Sequence, residues 1–298
     1  MKFLHKFMRA VGFSEYADRK RLKELLTNVI LHADERYYTM NQENVLLGEF
    51  RKNFTKDIGI AVCGEFDEED HFIYEYYYPY LMGNEVTTTE DVNVERHAAR
   101  ESYGGICDDM NVGISLIFYL QNMIPYVKAQ CQGKLPIKGT SLTLTGLSVS
   151  GVIMLPIKKD EEQRRKVKRD TATRNNLLAA ARKGDEDAIE TLTLEDMDMY
   201  TAISKKIQKE DVFSLVDTYF MPYGMECDQY SVLGEILEVN QKVNSLTGEK
   251  LYQMKLNCNS LCFDIVINEK DLMGEPKAGR RFKGAIWLLG YINFPEIY

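Results

Sequence analysis

The side chains best suited to chemistry are concentrated in one polar segment of this chain. Its histidine, acidic and basic residues are Glu95, Arg96, His97, Arg100, Glu101, Asp108 and Asp109. A histidine beside carboxylates can exchange protons near neutral pH or bind a divalent metal ion. If residues 92–100 were helical, His97 and Glu101 would share one face, and the two aspartates would follow a turn at the adjacent glycines.

Two interpretations of this segment are open. In the first, the catalytic residues of a metal-assisted hydrolase are His97, Glu101, Asp108 and Asp109. In the second, the same groups form an ion-paired helix end. We favour the second interpretation, because structural ion-pair networks commonly imitate sites and no spacing in the segment matches a known catalytic or metal signature. We therefore expect a non-enzymatic protein with no metal and no cofactor.

A tyrosine-rich strand precedes this segment. Its aromatic residues are Phe72, Tyr74, Tyr76, Tyr77, Tyr78 and Tyr80. Side chains two residues apart share one face of a strand, and an exposed aromatic row could stack bases or sugars. Large aromatic side chains mostly lie in cores, and no lysine or arginine is interleaved here. We therefore expect the row to be buried beneath helices from the N-terminus.

Two basic runs could contact phosphates. One is the loop Lys277, Arg280, Arg281 and Lys283, and the other spans residues 158–169, where acidic residues are interspersed. The net charge of -8 opposes nonspecific attraction to polyanions. Nucleic-acid binding is therefore an alternative of lower rank. The candidate binding residues are Arg96, Arg100, Arg280, Arg281 and Lys283.

Cysteine usage and hydropathy predict a cytoplasmic protein. The six cysteines are scattered, and no pair has the spacing of a zinc knuckle or a redox dithiol, so we expect free thiols in a reducing compartment. Charged residues interrupt the apolar N-terminus, and no stretch approaches the roughly 20 apolar residues of a membrane span. We expect neither export nor membrane insertion.

Glycine-rich phosphate loops are missing, which disfavours nucleotide hydrolysis.

The elements that must position these residues predict an α+β fold. Two amphipathic helices open the chain, the second after a cap at Asp18. Strand patterns over residues 45–50, 58–66 and 71–80, with an acidic tip, predict an antiparallel meander. A short helix is predicted over residues 121–130. Residues 141–148 and 152–157 predict a hairpin that turns near Gly151.

Three domains are predicted on this basis. Residues 1–157 form a mostly antiparallel sheet with packed helices, and residues 158–225 carry helical patterns that indicate a bridge. Short strands in residues 226–298 predict a small β-barrel of the oligonucleotide-binding or SH3-like kind. We expect Trp287 to fill the interior of that barrel.

Several segments together resemble a known family. They comprise residues 59–66, 94–97, 105–109, 113–122, 210–213 and 279–284. Over its whole length the chain is similar to an uncharacterised family of clostridial proteins, the domain of unknown function numbered 3881. The resemblance implies a cytoplasmic bacterial protein and supplies no activity, cofactor or catalytic residue.

The leading hypothesis is a non-enzymatic protein that binds a protein partner or a small ligand. Two observations motivate this hypothesis: the predicted architecture has several parts, and the sequence lacks catalytic signatures. Nucleic-acid binding through the C-terminal barrel is one alternative, and a metal-assisted hydrolase centred on His97 is the other.

Overall fold

The computed structural model describes residues 5–16, 18–97, 102–109, 114–136, 138–157 and 216–295, with scattered positions between 173 and 194. Within these ranges the protein has a mixed α/β fold with two β-sheets, one of which includes a closed five-stranded barrel. The predicted combination of sheet, helices and barrel is confirmed at this level. Most of the predicted helical bridge lies outside the described residues, although residues 186–194 are helical.

The first sheet is an antiparallel meander, as predicted. Its strands, in spatial order, are β1 Glu35–Met40, β2 Leu46–Thr55, β3 Ile58–Phe66 and β4 Phe72–Leu81. The acidic tip between β3 and β4 is held by a side chain. Asp67 Oδ1 accepts hydrogen bonds from the amides of Glu69 and His71 at 2.9 and 2.8 Å, which fixes the turn locally.

The second sheet curls into a barrel. Its strands are β5 Val92–Arg96, β6 Tyr103–Asp109, β7 Ile114–Leu120, β8 Ser141–Met154, β9 Tyr219–Pro222, β10 Gln229–Val243, β11 Lys250–Cys258, β12 Leu261–Asn268, β13 Leu272–Met273 and β14 Arg281–Asn293. The ring runs β8-β12-β11-β10-β14, and β14 pairs with β8 to close it. Beyond β14 the sheet continues through β7, β6 and β5. Four strands of the ring therefore follow residue 226, and the remaining strand, β8, precedes residue 157.

Strand β8 is continuous, so the hairpin predicted near Gly151 is wrong. Gly151 lies within the ladder, opposite Gly284 of β14. A Cβ atom at Gly151 would lie 2.4 Å from a ring carbon of Phe282, well inside van der Waals contact. Glycine is needed at this position because an aromatic ring packs against the strand backbone, not because the chain turns there.

Besides the helical residues 186–194, four short helices are described. The first is a 3-10 helix, Lys6–Val11, and the second is α1, Arg19–Leu31. Asp18 caps α1 as predicted, because its side chain accepts a hydrogen bond from the amide of Lys20. Helix α2, Met123–Cys131, follows β7, and a 3-10 helix, Glu269–Asp271, follows β12. None of the helices in the described ranges is long and apolar enough to cross a membrane.

Strand β14 separates two hydrophobic cores. Ile286 and Leu288 belong to the core inside the barrel, whereas Trp287 and Leu289 belong to the core that the N-terminal helices cover. The ring of Trp287 stacks on Phe7, with 5.4 Å between the ring centroids. The prediction that Trp287 fills the barrel interior is therefore wrong. Side chains alternate along a strand, and this residue occupies an outward position.

Of the six aromatic residues of β4, Phe72 and Tyr74 are half-buried and the other four are buried, as predicted. The side chains concerned are Tyr76, Tyr77, Tyr78 and Tyr80. Tyr77 faces the N-terminal segment, where its hydroxyl accepts a hydrogen bond of 3.0 Å from the amide of His5. Tyr78 contacts the connection after β7 instead, where its hydroxyl donates a hydrogen bond of 2.8 Å to the carbonyl of Gln121. The sheet therefore packs against other elements through both faces.

Candidate functional site

The segment around His97 begins as a strand. Residues Val92–Arg96 form β5, which pairs antiparallel with β6, so that Arg96 lies opposite Tyr103. The valines of β5 alternate with polar residues, a pattern that favours a half-buried strand. The helical arrangement considered for residues 92–100 is therefore wrong in its described part.

This pairing separates His97 from Asp108. The amide of His97 donates a hydrogen bond of 2.8 Å to the carbonyl of Ser102, at the start of β6. Asp108 lies near the other end of that strand, and six residues of extended chain span roughly 20 Å. Its Oδ1 accepts a hydrogen bond from Ser115 Oγ. Proton transfer needs hydrogen-bond reach, so these two groups do not form one reaction centre.

The other residues of the predicted hydrolase site are only partly described. Arg100, Glu101 and the side chain of Asp109 lie outside the described residues. In the part of the chain that the structure describes, no three His, Cys, Asp or Glu side chains are grouped to hold a metal ion. Burial raises the pKa of the Asp228 carboxyl, and the hydrogen bond from Trp287 is the largest contribution that offsets this rise. His97 makes a smaller lowering contribution to the same pKa, so its electrostatic influence reaches a carboxyl that the sequence did not pair with it.

The predicted basic loop extends into β14, which begins at Arg281, and both of its arginines form hydrogen bonds within the protein. Arg281 is 7% exposed, and its guanidinium donates hydrogen bonds to the carbonyls of Leu155 at 3.1 Å and Val216 at 2.9 Å. Arg280 donates a hydrogen bond of 2.7 Å to a carbonyl within its own loop. Lys283 is half-buried within β14. The guanidinium of Arg281 thus binds main-chain carbonyls of this chain.

Arg96 lies beside a cavity of about 120 Å³, which we call the Arg96 cavity. Its walls are the turn after β1, the β5–β6 hairpin and helix α2. The turn contributes Glu43, the hairpin contributes Arg96 and Tyr103, and α2 contributes Tyr126 and Gln130. One candidate binding residue from the sequence therefore lies at a concave surface, together with groups far from it in the chain.

The turn that forms one wall is held by internal hydrogen bonds. Asn41 Oδ1 accepts from the amides of Glu43 and Val45, both at 2.9 Å. Asn44, with a φ of 60°, adopts the left-handed conformation that asparagine tolerates. The thiol of Cys131 at the end of α2 lies 3.4 Å from the carbonyl of Met40 and donates to it. These contacts connect the turn to the helix across the cavity.

The cavity combines opposite charges with aromatic surface. Arg96 Nη1 lies 3.8 Å from Glu43 Oε1, beyond hydrogen-bond distance, and the two side chains are 51% and 70% exposed. The rings of Tyr103 and Tyr126 pack with 5.6 Å between their centroids. Burial raises the pKa of Tyr126, so its hydroxyl is protonated at neutral pH and able to donate. The described lining residues therefore bring charged, hydrogen-bonding and aromatic groups to one surface.

A buried polar network joins the two sheets, and the sequence interpretation missed it. Arg51 and Glu49 are 3% and 1% exposed, and the guanidinium binds both the Glu49 carboxylate and the carbonyl of Gln121. Burial alone lowers the pKa of Arg51, but Glu49 and Tyr78 raise it well above its usual value. The network is closed to solvent, so its role is structural. The sequence did offer one signal of this network. Glu49 and Arg51 have opposite charges and are two residues apart, so they share one face of strand β2.

The family comparison agrees with the resemblance seen in the sequence. The profile of the family described as "Domain of unknown function, E. rectale Gene description (DUF3881)" matches residues 8–290. The chain belongs to this family. The matched range includes the first sheet, the whole Arg96 cavity and the barrel except the last three residues of β14. No curated protein and no solved structure gives a significant match.

The contact between Ser14 and Lys270 has a structural role and not a catalytic geometry of the serine–lysine kind. Ser14 Oγ donates a hydrogen bond of 2.5 Å to Glu249, and Lys270 Nζ lies 3.2 Å from that serine oxygen. A lysine that activates a serine needs a lowered pKa. The hydrogen bond to Glu249 instead raises the pKa of Lys270. The three side chains therefore hold the N-terminal segment to the barrel.

Proposed function

We propose that this protein is a non-enzymatic binding protein whose ligand is a small molecule in the Arg96 cavity. The observation that carries the proposal is one concave surface that brings together a guanidinium, a carboxylate and two tyrosine rings. Small-molecule sites are concave, largely preformed and lined by apolar surface with a few polar groups. The hydrogen-bonded turn and the contact between α2 and β1 support a preformed site.

The non-enzymatic part of the proposal has two supports. His97 and Asp108 lie at opposite ends of β6, and the cavity lining offers no nucleophile with an adjacent base. We also propose a cytoplasmic location in a bacterium. All six cysteines are free thiols, which is typical of a reducing compartment, and the family description names E. rectale.

Ligand-observed NMR on two tryptophan variants tests the proposal. Gln130 lines the cavity from α2, whereas Lys128 lies on the same helix and is exposed outside it. We expect at least one compound from a library of small polar metabolites to bind the wild type and Lys128→Trp, but not Gln130→Trp, because the indole fills the cavity. If every binding compound also binds Gln130→Trp unchanged, or if none binds the wild type, the proposal is wrong.

A second candidate function is recognition of a partner protein by the β9–β10 hairpin. Met221, Tyr223 and Met225 are 55%, 49% and 100% exposed at its tip. Methionine and tyrosine are enriched at protein interfaces. The base of the hairpin is fixed, because the amide of Tyr223 donates a hydrogen bond of 2.9 Å to the carbonyl of Gln229. The tip is therefore an apolar surface on a rigid support.

A photo-crosslinking amino acid at position 225 distinguishes this function. We expect a crosslinked partner in native lysate that is lost when Met221 and Tyr223 are replaced by serine. The matched control carries the crosslinker at Glu69, an exposed site on another hairpin tip. Equal labelling from both positions contradicts the role of the hairpin. Nucleic-acid recognition by an oligonucleotide-binding-like barrel has weaker support, because Arg281 binds main-chain carbonyls.

A further inference from the structure

The mouth of the Arg96 cavity carries one positive and one negative group at short range. Arg96 Nη1 and Glu43 Oε1 are 3.8 Å apart, and both side chains are at least half exposed. An exposed ion pair of this kind contributes little to stability, because water screens the charges and two long side chains must be held in place. The contact between the two side chains therefore adds little to the stability of the fold, and both charged residues line the cavity.

The charges select against most simple ions. A polyanion such as phosphate would meet Arg96 but would be repelled by Glu43. A simple cation would be attracted by Glu43 but repelled by Arg96. A ligand that carries both charges a few ångströms apart satisfies the guanidinium through its carboxylate and the Glu43 carboxylate through its ammonium group.

The size of the cavity limits the ligand. An engineered cavity of about 150 Å³ holds benzene, so a cavity of this size holds about five or six non-hydrogen atoms. Tyr103, Tyr126 and Val127 supply apolar contact inside, and Asn41 and Gln130 supply amides at the edge. The space suits a short aliphatic body better than an extended peptide or a nucleotide.

From these features we propose that the Arg96 cavity binds a small free amino acid as its zwitterion, with the carboxylate on Arg96 and the ammonium group on Glu43. This inference rests on the proposed function, since it names the ligand class of the same cavity. The aliphatic side chain of the ligand contacts the two tyrosine rings. The tyrosine hydroxyl of Tyr126 is available as an additional donor to the ligand carboxylate.

Calorimetric titration with four probes tests the inference on the full-length protein. The probes are L-alanine, propionate, ethylamine and inorganic phosphate. We expect L-alanine to bind the wild type most tightly and phosphate to show no binding. Arg96→Gln should weaken L-alanine binding by about tenfold or more, because a charge-assisted bidentate contact is lost. Glu43→Gln should weaken L-alanine binding but strengthen propionate binding.

Matched controls and contrary outcomes complete the test. Arg36→Gln and Glu69→Gln make the same charge changes at exposed sites outside the cavity, and L-alanine affinity should not change. The inference is wrong if propionate binds the wild type as tightly as L-alanine, or if L-alanine does not bind. In either case the proposed function still stands if another compound binds the wild type and not Gln130→Trp. If no compound does so, both fail.

Discussion

The indole Nε1 of Trp287 donates a hydrogen bond of 2.7 Å to Oδ2 of Asp228. The amide of Leu288 also donates a hydrogen bond of 2.9 Å to the carbonyl of Asp228. The turn before β10 is thus fixed to β14 through both the side chain and the backbone of one aspartate. Because Trp287 faces outward from the barrel, this contact lies in the core shared with the N-terminal helices.

Two replacements of Asp228 distinguish the contribution of its hydrogen bond to stability from the contribution of its charge. Asp228→Ala leaves the buried indole N–H without its acceptor, so we expect the free energy of unfolding to fall by about 1–3 kcal/mol. Asp228→Asn keeps an acceptor oxygen, and we expect its stability to lie within about 1 kcal/mol of the wild type at pH 7. Urea unfolding measures both variants. Equal losses in the two variants would contradict the role assigned to the hydrogen bond.

The wild type and Asp228→Asn should also differ in how their stability depends on pH. Burial raises the pKa of Asp228 in the folded state above its ordinary value of 3.8. As the pH falls through the raised pKa toward 3.8, the folded state binds a proton before the unfolded state does. The wild type should therefore gain stability relative to Asp228→Asn over this acidic window. Urea unfolding at a series of pH values measures the difference, and a constant difference would show that the pKa is not raised.

The buried pair of Arg51 and Glu49 should show strong coupling. Removal of one partner leaves an uncompensated buried charge, so we expect Arg51→Met or Glu49→Leu alone to cost about 3–5 kcal/mol. The double variant should lose less than the sum of the single losses. A double-mutant cycle by chemical denaturation measures the coupling. Simple additivity would mean that the two side chains do not stabilise each other.

Gly151 should not tolerate a methyl group. Because a Cβ atom there would meet the ring of Phe282, we expect Gly151→Ala to lower the free energy of unfolding by about 1–3 kcal/mol. Phe282→Leu, which removes the ring, should reduce that loss when the two changes are combined. Ser150→Ala, at the exposed neighbouring position, is the control and should be close to neutral. Thermal unfolding is the measurement, and no rescue in the double variant would refute the steric explanation.

The two arginines of the basic loop should behave differently. Arg281→Gln loses two hydrogen bonds to main-chain carbonyls, and we expect a loss of about 1.5–3 kcal/mol in unfolding free energy. Arg280→Gln, at a surface loop, should change stability by about 0.5 kcal/mol or less. We expect no gel shift with RNA or single-stranded DNA at low salt. A shift that Arg280→Gln abolishes would revive the nucleic-acid alternative.

Local chemistry explains why part of the fold was predictable. Strand alternation and turn residues are encoded over a few positions, so the strands β2 to β4 of the meander and the cap at Asp18 could be predicted from neighbouring residues, whereas β1 was not predicted. The burial of the tyrosine row also followed from residue type. The error at Gly151 arose because a glycine signals either a turn or a close approach, and only the partner Phe282 distinguishes the two.

The candidate site was harder to predict, because its residues are brought together by pairing between distant strands. Arg96 was selected for its charge, but its neighbours Glu43 and Tyr126 belong to a turn and a helix that the sequence did not connect to it. His97 was grouped with Asp108 by proximity in the chain. An extended hairpin places residues so spaced at opposite ends of a strand.

By itself, the sequence determined the strands β2 to β4, the cap of α1, the burial of four β4 tyrosines and the family, since each depends on local pattern or on overall similarity. Only the tertiary structure decided that β8 closes the barrel, that Trp287 faces outward and that Arg96 lies beside Glu43. These relationships depend on which strands pair and in which register. Register is fixed by contacts summed over the whole sheet, so no short stretch of sequence specifies it.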